Sequence, residues 1–444
     1  MLIILLILLC IAFIVFSTTR LKLHPFLALL AAALFFGLFS GMPLEQIVVS
    51  INEGFGKTVG NIGIIIIAGI IIGAFLEQSG GAYALANVIL RLIGQKRIHS
   101  AMAIIGYIVS IPVFADSGFI ILSPLNKALT KKAGLSLAGT AIALCLGLMA
   151  THTMVPPTPG PIAAAGILGA DVGLVILIAL AVSVGAMVVT TIFAKNVAAR
   201  VSIDPNPDMS PEQVEKISKE APSAIKSFLP IVVPLALIVL KSVADFPTEP
   251  FGSGEFKTIA RFIGNPMIAL IIGILLAFLL PKKLDKSMLS ATGWVGKALK
   301  DAAIIILITG AGGAFGKILQ NSDFGVLLGD SVQGSGLGLW LPFLVAAALK
   351  SAQGSSTVAI ITTASLMLPL LESLGLDGEV SRAMVVVATG AGAAVVSHAN
   401  DSYFWVVTQM SDMSVKDGYK LLSSGSAILG FSAMIILSGI NLFI

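Results

Sequence analysis

Polar and ionisable residues interrupt the apolar sequence in two clusters, one in each half of the chain. The first cluster consists of Asp116, Ser117, Gly118, Thr151, His152, Thr158 and Gly160, and the second of Lys350, Gln353, Gly354, Ser355, Ser356, Thr357, Ser397, His398, Asn400 and Asp401. Ionisable groups inside a membrane are costly, so they indicate a path for a substrate or an ion. A polar cluster repeated at two helix breaks is typical of a secondary transporter. We therefore predict that both clusters form a substrate site.

Four ionisable members of the clusters are candidates for ion coupling: Asp116, His152, His398 and Asp401. A carboxylate or an imidazole can take up and release a proton during transport. Structural alternatives stay open, because either aspartate could cap a helix and either histidine could be held by backbone carbonyl groups at a break. The serine and threonine hydroxyls could likewise bond backbone carbonyls. Asn400 could cap a helix or bind a substrate hydroxyl.

Helix breaks are predicted where the clusters lie. Prolines at four positions between 156 and 161 forbid a continuous helix there. A helix that starts inside the membrane presents free N–H groups and partial positive charge, which suit an anion. Gly118, Gly160 and Gly354 would let the backbone approach a ligand. We expect backbone N–H groups to hold a carboxylate, and Lys350 either to attract it or to extend to the membrane surface.

The composition predicts a helical membrane protein with many spans. Of 444 residues, 57% are hydrophobic and 11% are charged, and apolar runs repeatedly reach the ~20 residues that cross a bilayer. The net charge of +4 does not indicate nucleic-acid binding, because the basic residues lie in short loops, where they set orientation. Cys10 and Cys145 lie in apolar segments, so no disulfide is expected. The lipid bilayer is the predicted surrounding.

Motifs for enzymatic or cofactor chemistry are incomplete. Residues 310–317 look like a phosphate-binding loop, but Ile318 stands where Ser or Thr is needed. Close packing of helices explains these glycines better. No cofactor, metal site or catalytic residue is predicted, and without a nucleotide-binding motif transport would be driven by an ion. A passive channel or an intramembrane enzyme is the alternative class, but an enzyme needs a nucleophile–base pair that we do not find.

The positions of basic residues predict an all-α membrane protein of two inverted repeats. The repeats span 1–195 and 227–444, a cytoplasmic linker spans 196–226, the re-entrant hairpins span 98–132 and 339–371, and the broken helices span 136–169 and 383–410. Each repeat would cross the membrane about five times, an odd number that inverts the second repeat. Both termini are then predicted to lie on the outer, periplasmic side.

These motifs resemble those of the gluconate permease (GntP) family of bacterial secondary transporters, within the ion transporter superfamily. The matching segments are 24–26, 79–81, 118–122, 151–160, 310–315, 353–359 and 397–405. The resemblance covers nearly the whole chain. It implies a symporter of the bacterial inner membrane that imports gluconate or a related sugar acid or hydroxy acid, with a proton favoured over sodium as the coupling cation. It further implies a homodimer with an elevator-type movement.

The chain departs from the family pattern at three positions. Asp116 replaces a common glutamate, Thr158 replaces a histidine, and Lys350 replaces an arginine. These changes affect an acid, a possible proton carrier and a possible anchor for a carboxylate. They leave open a second substrate class that the family also carries, namely D-serine or another small amino acid.

Overall fold

The computed structural model of the chain describes residues 2–94, 97–206, 219–245, 250–322 and 336–443. Within these ranges the chain is helical and contains no strand, which confirms the predicted all-α class. The helices of the first half are α1 (Leu2–Thr19), α2 (Pro25–Phe39), α3 (Leu44–Gln78), α4 (Gly81–Ile93), α5 (Ile98–Val109), α6 (Ala115–Lys132), α7 (Leu137–Met154), α8 (Pro159–Leu168) and α9 (Val172–Asn196).

The helices of the second half follow the predicted linker, of which residues 207–218 lie outside the described ranges. They are α10 (Ala224–Ala244), α11 (Glu255–Ile263), α12 (Pro266–Ala277), α13 (Trp294–Gln320), α14 (Trp340–Gln353), α15 (Ser356–Met367), α16 (Glu379–Ala394), α17 (Ser402–Met410) and α18 (Val415–Asn441). Helix pairs therefore occupy all four segments for which hairpins or broken helices are predicted. That each hairpin returns to the side from which it enters remains a prediction.

Several helices are suited to a membrane by length and composition. Among the described residues six spans meet this criterion, namely α3, α7 together with α8, α9, α10, α13 and α18, and the pair α11 and α12, bent by 64°, could form a seventh. Helices α1 and α2 are apolar but shorter. The chain is thus a multi-pass membrane protein, and the count of about five crossings per repeat stays a prediction.

Helix α3 includes the partly polar residues 44–61 as well as the apolar run that follows them. It begins at Leu44, directly after Pro43, and runs for 35 residues. Ile47, Ser50 and Gly54 follow one another at helical spacing and are buried, while the residues between them, apart from the half-buried Ile51, are exposed. The start of α3 is therefore an extension that packs on one side, because residues at this spacing lie on one face of a helix.

The glycines of the loop-like motif at 310–317 serve helix packing, as predicted. A Cβ atom on Gly54 of α3 would lie 2.5 Å from the carbonyl oxygen of Gly313 in α13, and 2.8 Å from Cα of Ala314. Such a close approach requires glycine on both helices. The pair α3 and α13, one helix from each half, thus forms a tight contact across the molecule.

Glycines also dock each hairpin on the broken helix of its own half. On α7, a Cβ atom at Gly147 would collide with the carbonyl group of Ala103 in α5, and on α16 one at Gly392 would collide with that of Phe343 in α14. The first arm of each hairpin therefore packs on the first half of the following broken helix in the same way. This correspondence supports the predicted repeat.

The predicted orientation can be tested with single cysteines. A cysteine at Glu53, on the exposed face of α3, is expected to react with an impermeant thiol reagent added to intact cells. A cysteine at Lys132, exposed at the end of α6, is expected to react only after permeabilisation. The native chain is the unlabelled control, because both of its cysteines are buried. Labelling of Lys132→Cys in intact cells would contradict the orientation.

Candidate functional site

A cavity of about 320 Å³ lies where the first hairpin, the second hairpin and the break before α17 meet. Its lining residues are Phe114, Ala115, Asp116, Met149, His152, Gln353, Gly354, Ser355, Ser356, Thr357, Asn400, Asp401, Ser402 and Tyr403. Nine of the seventeen predicted site residues are among them, two from the first cluster and seven from the second. The chain therefore brings the two clusters into one polar space, although they are far apart in sequence.

The second hairpin has a tip of only two residues. Gly354 ends α14 in the left-handed conformation, with φ of +82°, and its N–H donates to the carbonyl group of Lys350 at 2.8 Å. Ser355 then caps α15, because its Oγ accepts from the N–H of Val358 at 3.3 Å. The start of α15, with Ser356 and Thr357, consequently lines the cavity, and the first backbone N–H groups of a helix have no partner within that helix.

A buried ion pair lies behind the tip of the second hairpin. Nζ of Lys350 donates to Oδ2 of Asp401 at 2.5 Å and also to the carbonyl oxygen of Gly354. Oγ of Ser397 donates to the same carboxylate oxygen at 2.5 Å. Lys350 is only 1% exposed. The expectation that Lys350 attracts substrate from the hairpin entrance or extends to the membrane surface is therefore wrong, since its charge is held inside by Asp401.

Asp401 also begins α17. Its Oδ1 accepts from the N–H of Tyr403 at 3.1 Å, so the capping alternative applies to this aspartate. Asp116 differs, because Phe114 occupies the cap position of α6 and Asp116 lies in the first turn. There its side chain accepts a long hydrogen bond of 3.5 Å from Oγ of Ser402. Among the described residues, no cation forms an ion pair with Asp116.

The residues between α16 and α17 are hydrogen-bonded to the last turn of α14. Nε2 of His398 lies 2.8 Å from the carbonyl oxygen of Ser351, and Nδ2 of Asn400 donates to the same oxygen at 2.9 Å. His398 does not line the cavity, which matches the structural alternative for this residue. Ser397 is buried and serves Asp401 rather than the cavity.

His152 and Gln353 present polar atoms that the protein leaves without a partner. In the described part of the chain, Nδ1 of His152 and both amide atoms of Gln353 are buried and make no hydrogen bond. Both residues line the cavity. Buried polar groups are almost always satisfied, so orphans grouped at a cavity indicate a ligand or water that completes them.

Other members of the first cluster lie beside the cavity. Oγ1 of Thr151 donates to the carbonyl oxygen of Tyr107 at 3.0 Å, and Oγ1 of Thr158 to that of Val155 at 2.6 Å. Both hydroxyls thus bond backbone carbonyl groups, which is the structural alternative to binding a substrate. Ser117 is half-buried outside the lining.

The sequence suggested that Gly118 and Gly160 bring the backbone to a ligand, but neither residue lines the cavity. A Cβ atom at Gly118 would lie 2.7 Å from the side chain of Leu148, and one at Gly160 would lie 2.8 Å from that of Ile360. Both glycines therefore allow helices to approach each other. Only Gly354 of the three lines the cavity.

Five lining residues were not predicted: Phe114, Ala115, Met149, Ser402 and Tyr403. Ser402 directly follows Asp401 and could have been included on that ground. Tyr403 is buried, and its hydroxyl donates to the carbonyl oxygen of Cys145 at 3.0 Å. The apolar members carry no signal in the sequence, because such residues are equally common in any helix core.

Comparison with known proteins gives consistent matches over the whole length. The chain matches the family described as GntP family permease over residues 1–443. It is 36% identical to a gluconate permease of Pseudomonas aeruginosa over 94% of this chain and 92% of that protein. It is 31% identical to a gluconate permease of Bacillus subtilis, over 95% and 96% of the two chains.

Two solved transporters share the fold. MtrF of Neisseria gonorrhoeae, described with a class of antimetabolite efflux pumps, superposes with a TM-score of 0.69 at 14% identity over 95% of this chain and 96% of its own. The YdaH transporter of Alcanivorax borkumensis, described as having an unusual topology, gives 0.62 at 15% identity over 95% and 99%. At these identities the likeness concerns the fold alone.

Proposed function

This chain belongs to the GntP family of permeases, and we propose that it is a cation-coupled symporter that imports gluconate or a related sugar acid or hydroxy acid. It is a membrane transporter and not an enzyme. The observation that carries the substrate class is the cavity at the helix breaks, with its unpaired polar atoms. Relatives named as gluconate permeases or transporters support the choice of acid.

The cavity suits a small polyhydroxy acid. Its volume of about 320 Å³ lies near the lower end of the range of about 300–1,000 Å³ for small-molecule sites. Gln353 offers an amide donor and acceptor, and His152 a ring nitrogen, none of them engaged within the described ranges. Several hydroxyl groups of a sugar acid would satisfy these atoms in turn.

The carboxylate is assigned to the start of α15. Lys350 is neutralised by Asp401, so it supplies no free charge. The first turn of α15 instead offers backbone N–H groups, the positive end of the helix dipole and the hydroxyls of Ser356 and Thr357. A bound carboxylate would gain charge-assisted hydrogen bonds there without a basic side chain.

Coupling is assigned to Asp116. A carboxylate substrate in the cavity would place a second negative charge near this residue, and like charges repel strongly away from water. A proton on Asp116 removes that repulsion, so substrate and proton would bind together. Sodium is less suited, because a metal ion needs several oxygen ligands. Among the described side chains, the hydroxyl group of Ser402 is the only one that forms a hydrogen bond with this carboxyl group, at 3.5 Å.

Uptake by purified protein in liposomes tests the function. We expect labelled gluconate to accumulate when the interior is made alkaline, and not when a sodium gradient alone is imposed. Unlabelled gluconate and glycerate should compete, and D-serine should not. Competition by D-serine but not by gluconate would favour the amino-acid alternative. Accumulation without any ion gradient would contradict coupling.

Asp116→Asn is expected to separate binding from accumulation. Asparagine keeps most of the shape of the side chain but cannot carry a proton, so gradient-driven uptake should fall to the level of empty liposomes while gluconate still raises the unfolding temperature. Uptake by the native protein should weaken as the external pH rises, whereas residual exchange by the variant should not change. Ser402→Ala, which removes only the hydrogen bond, is the control. Normal accumulation by Asp116→Asn would remove Asp116 from the coupling path.

The remaining expectations from the family resemblance belong to this proposal. They are the bacterial inner membrane as the location, a homodimer as the assembly, and an elevator-type movement that carries the two clusters across the membrane. The contact between α3 and α13 and the shared cavity are compatible with a scaffold and a moving part.

A further inference from the structure

The ammonium group of Lys350 lies among oxygen atoms at the tip of the second hairpin. It contacts Oδ2 of Asp401 at 2.5 Å and the carbonyl oxygen of Gly354. The hydroxyl group of Ser397 lies on the same carboxylate oxygen. The end of α14 adds the negative end of its dipole. Carboxylate, carbonyl and hydroxyl oxygens at a helix end are the ligands that hard metal cations take.

Broken helices of secondary transporters use such helix ends to coordinate coupling cations. In this chain the position is filled from within, because Lys350 precedes Gly354 by four residues and its side chain reaches the tip of its own hairpin. We propose that the ammonium group of Lys350 is a tethered substitute for a coupling metal cation. The tip of the second hairpin then needs no mobile cation.

The first hairpin shows the opposite arrangement. From His99 to Asn126 the sequence contains no lysine or arginine, and Asp116 has no ion-pair partner among the described residues. A mobile cation is therefore needed at Asp116, whereas Asp401 carries its counter-charge permanently. The first half thus binds a mobile cation and the second half a fixed ammonium group, so one cation moves with each substrate. This inference rests on the proposed cation-coupled transport, but it can be tested without the substrate.

Removal of the lysine side chain should uncover the cation position. In Lys350→Ala the oxygen atoms remain and space is left for an ion, whereas in Lys350→Met the space is filled by an uncharged chain of similar length. We expect sodium or methylammonium chloride, compared with choline chloride, to raise the unfolding temperature of Lys350→Ala in proportion to the logarithm of cation concentration. Neither salt should change that of Lys350→Met or of the native protein.

The comparison excludes a general salt effect and a folding failure. An equal response of all three proteins, or no response of Lys350→Ala, would overturn the inference. If Lys350→Ala is unstable in choline, recovery of monodisperse protein when it is purified in methylammonium supports the inference, and no recovery in either cation overturns it. Gluconate is absent from these measurements, so a wrong substrate would leave them unchanged. Failure of gradient-driven uptake by the native protein would contradict the proposed function but not this inference.

Discussion

Asp401→Asn is expected to lower the free energy of unfolding by about 3–5 kcal/mol, because it leaves the ammonium group of Lys350 buried without its counter-charge. Lys350 is 1% exposed and Asp401 6%, so bulk solvent solvates the ammonium group poorly once its partner is lost. Asparagine caps helices about as well as aspartate, and the bond from the N–H of Tyr403 can therefore persist. The substitution isolates the charge, and thermal unfolding of the purified protein measures its effect.

A double variant tests whether the loss comes from the unpaired charge. Lys350→Met combined with Asp401→Asn removes both charges, and we expect it to recover most of the stability without recovering transport. Asp412→Asn is the matched control, since Asp412 pairs with Lys127 at 3.3 Å but its side chain is 54% exposed. That change should cost less than about 1 kcal/mol. If the single variant Asp401→Asn were as stable as Asp412→Asn, the buried ion pair would not contribute to stability in the way proposed.

Two of the helix breaks could be predicted from local chemistry, whereas the first hairpin breaks before Ala115 and leaves Asp116 and Gly118 inside α6. Prolines near 156–161 end α7, and Gly354 ends α14, because one residue type lacks the N–H and the other adopts positive φ readily. These are properties of single residues and need no knowledge of neighbours. The repetition of polar residues at both breaks then indicated that the breaks would share a site.

The partners of individual side chains could not be predicted in the same way. Lys350 and Asp401 are 51 residues apart, and nothing in their local sequence states that they meet. Gly118 and Gly160 have the composition of ligand-binding turns, yet both contact neighbouring helices. The purpose of a glycine depends on what approaches it, which is a property of the fold. The same reason applies to the start of α3, since only a partner helix explains why one of its faces is buried.

Two aspartates of similar appearance in the sequence have different surroundings in the structure. Asp401 is buried, caps a helix and is bonded by Lys350 and Ser397. Asp116 is half-buried at the cavity and accepts a long bond from Ser402, and no cation pairs with it among the described residues. A satisfied carboxylate holds its charge, whereas one that lacks a counter-charge gains most from a proton. This difference is the reason for assigning coupling to Asp116 and structure to Asp401.

Gly354→Ala is expected to abolish substrate binding and uptake. Gly354 has φ of +82°, where an L-residue is strained by roughly 1–2 kcal/mol. The added Cβ would also lie 2.7 Å from the carbonyl carbon of Asn400 and 3.1 Å from the N–H nitrogen of Asp401. These are backbone atoms, so no side-chain rotation can relieve the overlap. The hairpin tip must move away from the break before α17, which displaces both the start of α15 and the oxygen atoms around Lys350.

Gly375→Ala separates the strain from the collision. Gly375 has a similar φ of +68°, but a Cβ atom there would meet nothing within 4 Å. We expect this variant to lose about 1–2 kcal/mol of stability and to keep normal uptake, because Gly375 lies outside the cavity lining. Uptake of labelled gluconate and the rise in unfolding temperature with gluconate measure the two effects. If Gly354→Ala transported as well as Gly375→Ala, the contact between the hairpin tip and Asn400 would not be needed for the site, because the tip could then move without loss of binding.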